Sequence, residues 1–299
     1  MRKTLLDLIE NTIIHQYDLP NSTAGISKTI FSIDDDKCFK TTNNNDFSEI
    51  IYNSIIEYSF NEFEIDGKDY DKLHYIALQT KLKYNPTADL KTKIKYGFLG
   101  EVILFSVLYT LFKSKPLIAR GYFYNPLENS ETKGYDSYHL IENAGQTELW
   151  FGEVKFHNNY KAGIKSVFKN IDKAISDNYL QTNVFSISNE LNNLQWKGSK
   201  IETVIENWKE NPHLSIIDEI KKHNMKLVYP VMLLYEEDGA GYDESIKNIP
   251  THIQAEYSST KYSLSIPYSI FFILIPMKDV KLIKEDVIKW IESKKPLMS

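Results

Sequence analysis

At 299 residues, 42% hydrophobic and 25% charged, the chain has the composition of an ordinary folded protein and excludes a disordered or low-complexity one. Its single cysteine, Cys38, excludes an internal disulfide framework and a cysteine-rich zinc site, and fits a reducing cytoplasm. The net charge of −5 argues mildly against nucleic acid as a partner, yet eight cations against two anions between Lys81 and Arg120 leave room for a local basic face as well as for a solvated one. The acidic residues within Met1–Glu10 predict no signal peptide. The most apolar run, Ile266–Pro276, is too short to span a bilayer, which takes ~20 residues, so a cytoplasmic, membrane-free protein is expected.

Taken in order, Ile26–Ile33 has strand character and Asn43-Asn44-Asn45 reads as a polar loop. Ile50, Ile51, Ile55 and Ile56 recur at helical spacing within Phe47–Phe60, and a second helix is expected over Tyr70–Leu82. Asn85-Pro86 punctuates the chain, so residues 1–88 read as an N-terminal α+β extension packed on a main domain of residues 89–299. Lys95–Phe112 is apolar on nearly every side and predicts a buried helix. Strands are expected at Leu117–Tyr124, Tyr135–Ile141 and Thr147–Phe156, the last two joined by a hairpin at Asn143-Ala144-Gly145. A helix over Lys161–Ser176 follows, then helices at Ile201–Trp208 and Ser215–His223, a strand at Lys226–Tyr235, an acidic loop at Glu236–Asn248, a strand at Tyr268–Ile275 and a closing helix at Val280–Ile291. Strands interspersed with helices predict an α/β/α sandwich around a mixed sheet.

Gly152-Glu153-Val154-Lys155 is the first string with chemical content. Alternate strand residues share a face, so Glu153 and Lys155 point one way and Val154 the other. An edge strand with its polar face in water would account for that pair alone. Asp136 precedes Glu153 by 17 residues, and a hairpin between them brings the two carboxylates together if the register permits. Converging carboxylates make a hard oxygen site of the kind Mg²⁺ takes, with Mn²⁺ as a substitute. Taken alone, Asp136 reads more readily as a turn or N-cap-like residue after Gly134 than as a ligand. Glu101 is the lone anion of the apolar helix and needs a cation, either a metal or a neighbour such as Arg120. Gly97 and Gly100 beside it suggest close backbone approach to the strands. Lys161, Lys165, Lys169 and Lys173, four apart, would share one helix face, either to follow a phosphate backbone or as a solvated surface. His157 and His139 are set aside as a strand-end residue and one facing away.

A helix with Glu101, a strand with Asp136, a strand with Glu153-Val154-Lys155 and then a helix resembles the PD-(D/E)xK nuclease core of restriction endonucleases, with Tyr135 where that motif has proline. More narrowly, Tyr96-Gly97-Phe98-Leu99-Gly100-Glu101 and Gly152-Glu153-Val154-Lys155-Phe156 are similar to the HamA-type nuclease subunits of Hachiman anti-phage systems. The resemblance implies a restriction-endonuclease-like fold and Mg²⁺-dependent cleavage of DNA. It also implies catalytic Glu101, Asp136, Glu153 and Lys155, metal ligation by Asp136, Glu153 and Glu101, and a HamB-type helicase partner that controls a latent site. Two competing expectations are a nuclease-fold binding or regulatory subunit without catalysis and a carboxylate-pair glycosidase. The strand lysine and the absence of an evident sugar-binding aromatic motif speak against the second.

Overall fold

The computed structural model describes residues 1–23, 36–128, 130–131, 133–143, 145–195, 197–237, 239, 241–257 and 261–298. The strand expected at Ile26–Ile33 lies outside them. The chain opens with α1 (Lys3–Thr12), the antiparallel pair β1 (Ile13–Asp18) and β2 (Lys37–Thr41), and the long helix α2 (Asn44–Ser59). The Asn43 side chain accepts from the Asp46 N–H, so the asparagine run expected as a loop is instead the start of α2. Then come α3 (Glu62–Ile65), α4 (Tyr70–Thr80), α5 (Leu90–Lys93) and the apolar α6 (Phe98–Thr110).

The next segment departs from expectation. Leu117–Tyr124 is not a strand. Only β3 (Lys115–Pro116) pairs with the sheet, and Arg120–Phe123 is a 3-10 turn. Its backbone is engaged elsewhere: the Ala119 N–H donates to Asn61 Oδ1 at 2.8 Å, and Gly121 lies so close to the end of α2 that a Cβ would fall 2.4 Å from the Ser59 carbonyl oxygen. After a separate two-stranded piece, β4 (Tyr124–Asn125) with β5 (Ser130–Glu131), the expected hairpin forms from β6 (His139–Asn143) and β7 (Gln146–Trp150). Asp136 therefore precedes its strand rather than lying on it. The strand expected over Thr147–Phe156 is interrupted, with β8 (Glu153–His157) resuming after residues 151–152.

The helix expected over Lys161–Ser176 divides into α7 (Tyr160–Phe168) and α8 (Ile171–Ala174) around Asn170, whose φ of −129° and ψ of 0° are not helical. Helix α9 (Asp177–Asn189) was hidden in a polar stretch. Ser176 caps it, and Leu180, Val184 and Ile187 supply a narrow buried stripe. Then follow α10 (Lys200–Glu210), α11 (Ile216–Lys222), β9 (Met225–Glu236), α12 (Tyr242–Tyr257), β10 (Tyr268–Met277) and α13 (Val280–Ser293). Much of the expected acidic loop is the first turns of α12. Asp243 and Glu244 lie at its N-terminus, where negative charge is favoured, and Ile246, Ile249 and Ile253 are buried.

The main sheet runs β1-β2-β10-β9-β7-β6-β3, with β8 continuing β7 along the same edge of β9. Strands β2, β10, β9, β7 and β8 are parallel, and β1 and β6 are antiparallel to their neighbours. β9 is buried on both faces, as its unbroken apolar run requires. Tyr229, Val231, Leu233 and Tyr235 pack with residues of α7–α12. Val228, Met232 and Leu234 pack with residues of α1, α2, α6 and α13. The result is an α/β/α sandwich. Among the described residues no helix is long and apolar enough to cross a membrane.

Candidate active site

The site begins with an interruption in the middle of the sheet. Pro230 of β9 has no N–H to give the ladder, and Gly152 stands beside it between β7 and β8. A Cβ on Gly152 would lie 2.5 Å from both the Pro230 ring and its carbonyl oxygen, so only glycine fits. The Gly152 backbone turns instead to the segment before β6. Its carbonyl accepts from the Asp136 N–H at 2.9 Å, and its N–H donates to Ser137 Oγ at 3.0 Å. The same segment closes onto β8, where the Val154 N–H donates to Asp136 Oδ2 at 2.9 Å. Three hydrogen bonds thus hold Asp136 beside Glu153, although Asp136 is not itself on a strand.

Val154 is buried on the α6 side, so Glu153 and Lys155 face α7, where Gly163 lies against the Lys155 side chain. One Glu153 oxygen pairs with Lys155 Nζ, and the other accepts from the Tyr229 hydroxyl at 2.6 Å. Burial pushes the Asp136 carboxyl well above the usual carboxylate range, reinforced by the negative charges of Glu101 and Glu153. Burial alone would depress the Lys155 ammonium. Glu153, Asp136 and Glu101 outweigh it and hold that ammonium above its ordinary value.

Glu101 approaches from the opposite side of β8. Gly100 permits this, since a Cβ there would lie 3.3 Å from Val154. The Glu101 carboxylate accepts a short hydrogen bond from the Tyr58 hydroxyl and lies 3.7 Å from Arg120 Nε, the neighbour expected for it. Glu101 therefore stands behind the Asp136–Glu153 pair with partners of its own. Among the described residues no group of three or more histidine, cysteine, aspartate or glutamate side chains is arranged to hold a metal ion. The two-carboxylate pair is still a set that suits a small divalent cation, because Mg²⁺ keeps several waters and needs only one or two protein carboxylates. The like charges crowded at Asp136 are what such a cation would relieve.

Asp136 and Glu153 open onto a cavity of about 310 Å³, walled also by Lys133, Asn170, Lys173, Tyr179 and Tyr229. Of the four lysines spaced four apart, Lys173 lines this cavity and Lys161, Lys165 and Lys169 do not. All four are exposed, but the break at Asn170 means they are not one stripe on one helix. His139 is buried against Ser114 and Phe105, where burial lowers its pKa to about 3, and it takes no part. Tyr229, Tyr58 and Lys133 were not foreseen. Tyr229 and Tyr58 lie far from the motif in sequence, and a tyrosine in an apolar run reads as core.

A family model described as HamA matches residues 7–291. Comparison with curated proteins and with solved structures finds no match. The match takes in α6, the Asp136 segment, β8 and the strands that complete the sheet, and it shows that the chain belongs to the HamA family, the family of Hachiman anti-phage defence.

Proposed function

We propose that this chain is the nuclease subunit of its Hachiman system, a PD-(D/E)xK-type enzyme that hydrolyses DNA phosphodiesters with Mg²⁺ or Mn²⁺. The observation that carries the reading is the convergence of Asp136 and Glu153 on one small cavity, with Lys155 paired to Glu153. Asp136 and Glu153 would hold the cation, and the Val154 carbonyl is near enough in sequence to add a ligand. A cation bound there supplies a Lewis acid and lowers the pKa of a coordinated water. Lys155 contributes a compact positive charge beside the carboxylates, suited to orienting a water or steadying phosphate charge. Glu101, held by Tyr58 and Arg120, adds negative potential behind the pair. Lys173 and Lys133 supply cations at the cavity wall for flanking phosphates.

The net charge of −5 disfavours tight binding of DNA by this chain alone. Delivery of the strand by a helicase partner fits that charge and the Hachiman context, and explains how such a site is restrained in the cell. The test is incubation of the purified chain, with and without its partner helicase, with plasmid DNA and Mg²⁺. Cleavage that needs the metal and is lost in Asp136→Ala, Glu153→Ala and Lys155→Ala is expected. Cleavage that persists in these variants would overturn the assignment. The same overall acidity favours a second reading, an inert nuclease-fold binding subunit. That reading predicts partner binding with neither metal binding nor cleavage in any arm.

A further inference from the structure

Glu153 is held from two directions. Lys155 lies two residues farther along β8, level with Leu233 of β9. Tyr229 lies two residues before Val231, the β9 partner of Glu153, at the interruption where Asp136 is anchored. The cavity that Asp136 shares with Glu153 is lined by Tyr229, whereas Lys155 is not among its walls. The Lys155 partner of Glu153 thus lies farther along the strand, and its Tyr229 partner lies at the interruption beside Asp136.

The Tyr229 phenol is 1% exposed and edge-on to Tyr135, so its ring has little freedom. Its hydroxyl has one observed acceptor, Glu153 Oε2. Tyr235, six residues on and packed in the same apolar cluster, is buried to the same degree, and its hydroxyl makes no hydrogen bond among the described residues. Burial of a tyrosine on this face of β9 therefore does not require the Glu153 contact.

We propose that Tyr229 is a positioning residue that holds the Glu153 carboxylate on the Asp136 side of β8 and thereby sets the affinity of the pair for a divalent cation. This rests on the pair being a cation site, as proposed above. Hydrogen-bonding partners of metal-binding carboxylates typically change affinity 10–100-fold when removed.

The experiment is a Mn²⁺ titration of the full chain by calorimetry, with thermal unfolding recorded on the same samples. Tyr229→Phe is expected to weaken Mn²⁺ binding about 10–100-fold, and Tyr235→Phe to leave it within a factor of two or so of wild type, given that it removes an unpartnered hydroxyl. In a Lys155→Met background the loss on Tyr229→Phe should shrink, since the partner that competes for the Glu153 carboxylate is gone. A purely structural role would leave that loss unchanged. Wild-type affinity in Tyr229→Phe, with binding abolished in Asp136→Asn, overturns the role of Tyr229 while the cation site stands. No Mn²⁺ binding by the wild type overturns the site itself. If Tyr229→Phe fails to fold, fluorotyrosines of graded donor strength at position 229 keep the ring, and an affinity that does not follow donor strength overturns the proposal.

Discussion

Gly152 meets Pro230 in the middle of the sheet, where the Pro230 carbonyl oxygen lies 2.5 Å from the point a Cβ on residue 152 would occupy. This close approach ends β7, starts β8 and turns the Gly152 backbone towards Asp136. Gly152→Ala must therefore push two central strands apart. Overpacking of this kind costs about 1–3 kcal/mol. We expect a lower urea midpoint with an unchanged slope, together with weaker Mn²⁺ binding, because Asp136 loses its anchor. A variant as stable and as active as the wild type would show that the interruption does not build the site.

Asp136 should cost the fold stability at neutral pH. Its carboxyl titrates well above the usual range through burial and the nearby Glu101 and Glu153 charges. Between the unfolded value near 4 and that raised value, the folded state binds more protons than the unfolded one, so stability falls as pH rises through the window. Asp136→Asn keeps an acceptor for the Val154 N–H and removes the titration. It is expected to denature at higher urea than the wild type at pH 8, with the difference shrinking towards pH 4. Saturating Mn²⁺ should narrow the pH 8 gap by stabilising only the wild type. Parallel denaturation curves at the two pH values check this.

Lys173 and Lys161 should differ, although the sequence spacing treats them alike. Lys173 walls the cavity with its ammonium over the Tyr179 ring at 5.2 Å, whereas Lys161 lies at the far end of α7. Lys173→Glu is expected to raise the apparent Kd for labelled DNA and to lower the salt-dependence slope by about one phosphate contact or more. Lys161→Glu should change binding less. Anisotropy titrations at several salt concentrations on an Asp136→Asn background separate binding from cleavage. Equal effects of the two reversals would return all the lysines to a solvated surface.

Glu101 has a stability role that can be measured apart from catalysis. Its carboxylate meets Tyr58 and Arg120 in a region where the side chains of the ion pair are 10% and 7% exposed. Removing one partner of a buried pair costs about 3–5 kcal/mol, because the remaining charge stays buried. Glu101→Ala should approach that loss in chemical denaturation. Glu101→Gln, which still accepts from Tyr58, should lose less. An unperturbed Glu101→Ala would mean that Arg120 is satisfied without it.

The helical spacing of α2, the all-round apolar character of α6 and the apolar runs of β9 and β10 were legible from residue pattern alone, because one buried face imposes a period and full burial an unbroken run. So were the β6–β7 hairpin and the shared face of Glu153 and Lys155, which follow from strand alternation. The expected strand at Leu117–Tyr124 failed because the Ala119 N–H bonds to Asn61 and Gly121 packs against the end of α2, partners remote in sequence. The unbroken helix at Lys161–Ser176 failed at Asn170, where the backbone leaves the helical region, a break that four-residue charge spacing does not reveal.

Residue order and type by themselves determined an α/β chain with Glu101, Asp136, Glu153 and Lys155 as its candidate chemistry. Only the tertiary structure decided how those groups meet. Asp136 reaches Glu153 because Pro230 withdraws a ladder hydrogen bond and Gly152 leaves the room for the chain to turn. Glu101 acts on Asp136 and Lys155 through its charge, while Tyr58 and Arg120, from two other elements, contact its carboxylate. Tyr229 and Lys133 belong to the site only through strand pairing and a loop path, and neither leaves a periodic trace in the sequence.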